Sequence, residues 1–327
     1  MFGKSDSKNK RKTTFFRNNP PLHDGNDISQ RDSPLYDYAS FLDSYVPDKE
    51  LRCSGNNSVY LAWHKRLCKY VVIKESVCNL GSSRINRNEV EALKDIKCVS
   101  VPQVLDFHMN SDKSFTILEY IPGESFDTLM HKGATFSTTQ ISKWFLTLAS
   151  SLAVIHKHDV CHRDIKPANI ILSPCDDVYL IDFDSALVKS NYTGIISCSL
   201  AYASPEQCEY FNFCVATGKS ETASLKRNVA YTTSLTNCAT DMVAEKEIVY
   251  RPMAEDIDWK LSDIYSLGAT MYHLFFGVRP PPIIHENTVF PTSRRHPSPI
   301  SDIIVKCMKF NPQERFASAQ ELCNTLL

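Results

Sequence analysis

The chain has 327 residues, 43% of them hydrophobic and 22% charged, ordinary values for a soluble globular protein. Its 36 Lys and Arg against 37 Asp and Glu leave a net charge of −1, which argues against a dedicated sequence-specific nucleic-acid binder with its basic excess. No run approaches the roughly 18 uncharged apolar residues of a membrane span. Residues 1–21 have no apolar signal-peptide core, and the twelve scattered cysteines contain no CxxC pair. They read as reduced thiols of a cytoplasmic protein rather than as a disulfide or zinc framework.

Residues 1–34 are polar, broken by Pro and Asn, and lack apolar periodicity. The first 17 carry Lys4, Lys8, Lys10, Arg11, Lys12 and Arg17 against Asp6 alone. They read as a disordered basic tail, either merely solubilising or making a weak contact with an anionic partner. The folded domain is expected over 35–327. From 36 to 119 the pattern is strand-like with one helix. VYLAW (59–63), YVVIK (70–74) and FTILEY (115–120) are short β-branched and aromatic runs, and Ile85, Val90, Leu93 and Ile96 recur at helical spacing.

After Gly123 the character changes. A long amphipathic helix is expected over 138–158, then NIIL (169–172) and VYLIDF (178–183) as paired strands around the turn 173–177, then an apolar helix over 262–276 ending before Gly277. Residues 207–255 are rich in Thr, Ser, Asn and Cys with little periodicity and read as an irregular insert. Residues 279–299 are Pro-rich and read as extended.

The strongest chemical signal is His162-Arg163-Asp164-Ile165-Lys166-Pro167-Ala168-Asn169, a loop between the long helix and a strand. Asp164 can accept a hydroxyl proton, Lys166 can steady a transferring phosphoryl group, and Asn169 can bind a metal ion. This string matches the H-R-D-x-x-x-x-N catalytic loop, and with it the chain resembles a eukaryotic-type protein kinase over 48–327. Lys two residues after the Asp resembles the serine/threonine-directed form, and YASPEQ, SDIYSLGATMYHLFFGVRPP and NPQERFASAQEL are similar to bacterial members. The other parts follow in order. Lys74 ends V-V-I-K, Glu89 (with Glu91 as its rival) lies on the next helix, Asp182-Phe183 follows a strand, and Ser204-Pro205-Glu206 resembles A-P-E.

The resemblance implies an α+β, two-lobed fold, with a small antiparallel-sheet N-lobe (about 48–121) carrying one helix and a larger helical C-lobe (about 122–327). It implies an ATP-dependent serine/threonine kinase acting on protein substrates that the sequence does not name. Leu51, Val59, Val72, Leu118 and Ile171 would line the adenine site, with hinge hydrogen bonds from the backbone of Glu119 and Ile121. Lys74, held by Glu89, would position phosphates. Asn169 and Asp182 would hold Mg²⁺, with Mn²⁺ as an alternative. Asp263 would brace the catalytic loop, Arg315 would pair with Glu206, and Ser199 would contact Asp164 and Lys166. Arg163 implies pairing with a phosphorylated activation segment, for which Thr193 and Ser197 are the candidates. Histidines 156 and 162 match structural positions rather than a metal site.

Two departures stand out. Aligning 51–62 on L-G-x-G-x-x-G-x-V-Y-x-A puts Arg52, Ser54 and Asn57 at the three glycine positions, and Asp184 replaces the Gly of D-F-G. They leave one rival to the kinase reading, a catalytically weak or silent scaffold of the same fold; the second rival, a small-molecule kinase of the aminoglycoside type, shares the catalytic Asp and Asn. The order Ser204-Pro205-Glu206, Ser199 and Arg315 speaks against the second.

Overall fold

The computed structural model describes residues 43–54, 57–77, 87–188, 198–216, 257–281, 288 and 298–327. The N-terminal part is one antiparallel sheet of β1 (Tyr45–Ser54), β2 (Asn57–His64), β3 (Lys69–Val77), β4 (Val104–Met109) and β5 (Lys113–Glu119), in the order β1-β2-β3-β5-β4. The three runs read as strands from sequence form β2, β3 and β5. They are central because their alternation serves two faces. Val71 and Ile73 pack with Ala62, Phe115 and Ile117 on one side, while Val72 and Leu118 turn toward the core of the second lobe. The edge strand β1 carries Pro47 and several charges and is broken by two bulges. Such a sequence suits an edge, where unpaired backbone must be protected, and it shows no clean alternation.

Helix α1 (Asn88–Leu93) is shorter than the periodic stretch 85–96. It inserts Ala92 and Leu93 into the main core, and Asn88 and Glu89 are also buried. After β6 (Glu124–Ser125) and α2 (Phe126–His131), the C-lobe is built on α3 (Thr138–Lys157) and α5 (Trp259–Phe276). Ser137 and Gln140 form a reciprocal capping box at the start of α3. Ile141, Trp144, Phe145, Leu148, Leu152 and Ile155, at helical spacing, are buried along its inner face. Asp258 caps α5 by accepting from the N–H groups of Lys260 and Leu261, and Gly277 ends it at φ 68°. Helix α5 begins at Trp259, three residues before the sequence reading, because its first turn is set by that cap.

Two small antiparallel sheets carry the loops between these helices. Strand β7 (Val160–Cys161) pairs with β10 (Leu187–Val188), and β8 (Ile170–Leu172) pairs with β9 (Val178–Leu180) and with β6. The expected irregular insert is corrected at its start: Pro205–Ala216 is a helix, α4. Its anchor is polar. The Gln207 amide is buried, donating to Arg163 O and accepting from Ser262 Oγ, so no apolar stripe announces the helix. The rest of that insert lies outside the described residues, as do the basic tail and most of the Pro-rich stretch. The last residue of that stretch, Pro299, is the first of α6 (Pro299–Cys307), a position where its missing N–H costs nothing. Helix α7 (Ala319–Leu326) closes the chain against α3. Among the described residues no helix is long and apolar enough to cross a membrane.

Candidate active site

The loop between β7 and β8 is fixed from beneath by one carboxylate. Asp263 of α5 is fully buried, and it accepts from the backbone N–H of His162 at 2.7 Å, the N–H of Arg163 at 2.8 Å and His156 Nε2 at 3.0 Å. These bonds hold Arg163 at φ 62°, a left-handed conformation that a non-glycine residue adopts only when its surroundings enforce it. The Arg163 guanidinium is buried too: Nε donates to Ser185 O at 2.7 Å and the group lies 5.1 Å from the Trp259 ring. Burial lowers its pKa to about 10, still charged at neutral pH. Thr193 and Ser197, the candidate partners for a phosphate at Arg163, lie outside the described residues.

The constrained loop presents Asp164 to the cleft. Lys166 Nζ donates to its Oδ2 at 2.6 Å, Ser199 Oγ donates to its Oδ1 at 2.9 Å, and Asn169 Nδ2 donates to its carbonyl at 2.9 Å. Lys166 also donates to Ser199 Oγ at 3.1 Å, so the segment after the cleft is tied to the carboxylate by two routes. The Asn169 amide oxygen has no hydrogen bond among the described residues.

Across the cleft, Lys74 Nζ is 2.8 Å from Glu89 Oε1, 2.8 Å from Asp182 Oδ1 and 3.3 Å from Asp184 Oδ1. Glu89, not Glu91, is the partner of Lys74; Glu91 turns to Lys94 on the outer face. Glu89 Oε1 also accepts from the Phe183 N–H at 3.1 Å, and Asn88 Nδ2 donates to Asp184 O and Ala186 O. Helix α1 is thus locked to the segment after β9. Phe183 is fully buried against the His162 ring, with centroids 4.6 Å apart. Asp182 itself is left-handed at φ 70°.

Burial alone would pull Lys74 toward neutrality, but three carboxylates outweigh it and keep the ammonium charged. At Asp182 desolvation acts upward, and the charge and hydrogen bond of Lys74 overcome it, so the carboxyl is held below its usual range. Asp184 is pushed up, by desolvation first and then by the charges of Asp182 and Glu89. Its side chain is 60% exposed, so water moderates that shift. Carboxylate oxygens of Glu89, Asp182 and Asp184 lie within 4.8 Å of one another, and Glu89 Oε2 is buried without a hydrogen-bond partner among the described residues. This all-oxygen donor set suits a hard divalent cation such as Mg²⁺.

Val72 faces Leu118 across the β3–β5 pairing, and Leu118 and Ile121 are buried. Ile171 touches Gly123, where an added Cβ would meet Ile171 Cγ2 at 2.9 Å and Leu172 O at 2.2 Å. The Glu119 N–H is engaged by Gln103 O at 2.9 Å. Leu51 is the extra residue of a bulge in β1 and is 45% exposed. Away from the cleft, Arg315 makes a two-pronged pair with Glu206, at 2.6 and 2.8 Å. Sequence reasoning missed Asn88 and Gln207, buried amides whose partners are far along the chain. It also missed that Cys198 Sγ lies 3.6 Å from Cys208 Sγ. Their mutual hydrogen bond and burial hold the Cys198 thiol well above its ordinary pKa.

The protein kinase domain model matches residues 53–217, half of the chain. A probable serine/threonine-protein kinase of Clostridium perfringens is 26% identical over 302 residues, covering 84% of this chain and 37% of that protein. The mitosis inducer protein kinase cdr2 of Schizosaccharomyces pombe is 33% identical over 163 residues, covering 48% of this chain and 21% of that protein. Serine/threonine-protein kinase C of Synechocystis is 25% identical over 232 residues, covering 69% and 36%. The chain thus spans well under half the length of these relatives. With the two-lobed fold and the order of its motifs, the match makes this chain a member of the protein kinase domain family.

Proposed function

We propose that the chain is an ATP-dependent serine/threonine kinase that transfers the γ-phosphate of ATP to protein hydroxyls. The observation that carries this reading is the position of Asp164, gripped by Lys166, Ser199 and Asn169 opposite an intact Lys74–Glu89–Asp182 set. Asp164 orients the incoming hydroxyl and receives its proton, and Lys166 offsets charge on the transferring group. Lys74, kept charged by Glu89, holds the nucleotide phosphates, and Asn169 and Asp182 would hold Mg²⁺, which neutralises phosphate charge when bound. Mn²⁺ is the alternative ion, favoured by the extra carboxylate of Asp184. Most of the rate comes from positioning and charge stabilisation rather than from covalent chemistry. Adenine would lie between Val59 and Val72 above and Ile171 below, with Leu51 at the rim, Leu118 behind, and hinge bonds from the backbone of Glu119 and Ile121.

Thr193 and Ser197 are the proposed phosphorylation sites of the activation segment, and the basic tail is a proposed contact for an anionic partner. A reducing, cytoplasmic setting suits the closely spaced thiols of Cys198 and Cys208. The test is transfer from γ-labelled ATP to the protein itself and to generic basic substrates, in Mg²⁺ and in Mn²⁺, for wild type and Asp164→Asn. Incorporation on Ser or Thr that disappears in the variant supports the reading. A folded wild type that transfers nothing with either metal favours the second reading, a scaffold, to which Arg52, Ser54, Asn57 and Asp184 point.

A further inference from the structure

Arg52 stands where the family pattern has a loop glycine, and its side chain is turned into the cleft. Across three strands Arg52 lies opposite Val59, and Val59 lies opposite Lys74. Directly opposed residues of antiparallel strands share a face, so Arg52 and Lys74 are on the same side of the sheet, two strand spacings or roughly 9–10 Å apart. The bulge in β1 produces this aim. Between Glu50, opposite Tyr60, and Arg52, opposite Val59, strand β1 advances two residues while β2 advances one. Bulges of this kind re-aim side chains beside active sites. The guanidinium reaches Asp182, with Nη1 3.9 Å from Oδ2, and it remains 47% exposed.

Arg52 brings a positive charge to Asp182, and Asp184 brings a third carboxyl group to Lys74. The two departures meet at one cluster of side chains.

We propose that Arg52 is a phosphate-binding residue of the nucleotide cleft. Its guanidinium replaces the close backbone N–H approach that loop glycines allow, and it exchanges Asp182 for the nucleotide's phosphates when nucleotide enters. Planar guanidinium donors match phosphate oxygens in paired geometry, and the partly exposed position leaves the side chain free to move. This inference rests on the nucleotide reading of the cleft.

The test is equilibrium binding of ATP and of adenosine, in Mg²⁺, to the full chain as wild type, Arg52→Gly and Arg52→Lys. The Gly variant restores the family residue, yet it is expected to weaken ATP on the order of tenfold, the scale of one charged hydrogen bond, while adenosine stays within about twofold. Arg52→Lys is expected to recover part of the loss, because it keeps the charge without the fork. ATP affinity unchanged or improved in Arg52→Gly overturns the proposal, making Arg52 inert or a plug that nucleotide must displace. Equal losses for ATP and adenosine also overturn it, since they report a disturbed loop. A wild type that binds ATP but transfers no phosphate removes the kinase reading and leaves this one standing. A wild type that binds no ATP removes both.

Discussion

The catalytic loop and the β1–β2 hairpin face each other across the cleft, yet they are held in different ways. Asp164 sits on a loop whose backbone N–H groups are captured by the buried Asp263, and its own oxygens are engaged by Lys166 and Ser199. The hairpin edge is an outer strand with Pro47, two bulges, an exposed Leu51 and the half-exposed Arg52. The loop is over-determined, so a left-handed Arg163 is held there. The hairpin has few constraints, and three of the departures from the family pattern, Arg52, Ser54 and Asn57, fall on it. Positioning for chemistry depends on rigid support, whereas a rim that closes over a ligand tolerates exchange of one phosphate-contacting group for another.

The largest expected effect lies on the rigid side. Asp164→Asn should lower phosphate transfer by about 10²–10⁴-fold, the range for a lost acid–base group, with ATP affinity retained; labelled transfer and a binding titration read the two separately. Next, Asp263→Ala leaves buried loop N–H groups without an acceptor and should cost on the order of 3–5 kcal/mol. Urea unfolding would measure it, and a midpoint equal to wild type would remove the claim that this carboxylate holds the loop.

Gly123→Ala is expected to cost about 1–3 kcal/mol, because φ is 141° there and a Cβ would press into Leu172 O. The same unfolding measurement applies, and the damage should appear at the adenine wall as weaker adenosine binding. On the hairpin side, Leu51→Ser should change stability by less than about 0.5 kcal/mol, as for most exposed positions. A shift as large as that of Asp263→Ala would erase the contrast between the two regions.

The smallest effect is a pH dependence on the C-lobe face. His273 Nδ1 is 2.7 Å from the Tyr202 hydroxyl, and burial, then Arg279, lowers its pKa. The unfolded chain takes up this proton near pH ~6.5 while the folded chain resists it, so stability declines as pH falls through that value. His273→Gln should flatten the decline between pH 7.5 and 5.5 in parallel unfolding curves. An unchanged slope would assign the decline to other groups.

Legibility followed the nature of the signal. Helix α3 was readable because its apolar period matches the face it buries, and strands β2, β3 and β5 and helix α5 because they are compact apolar runs. Strand β1 was hidden by the charges and proline that suit an edge. Helix α4 was hidden because its anchor is Gln207, an amide whose partners Arg163 and Ser262 lie 44 and 55 residues away. The resemblance pointed to Lys74, Glu89, Asp164, Asn169 and Asp182, and they lie together around one cleft. No local pattern tells where Asn88 reaches or that Cys198 lies beside Cys208.

The amino-acid sequence by itself determined the order of the chemical groups and the family, because a catalytic loop needs fixed residue types at fixed spacing on one short segment. It also determined which positions depart, Arg52, Ser54, Asn57 and Asp184. Only the tertiary structure decided that two of those departures meet at one cluster. A bulge in β1 and the register of three strands bring Arg52 to Asp182, beside the carboxylate that Asp184 adds. Proximity is a property of distances in space, and separations of more than a hundred residues along the chain do not reveal it.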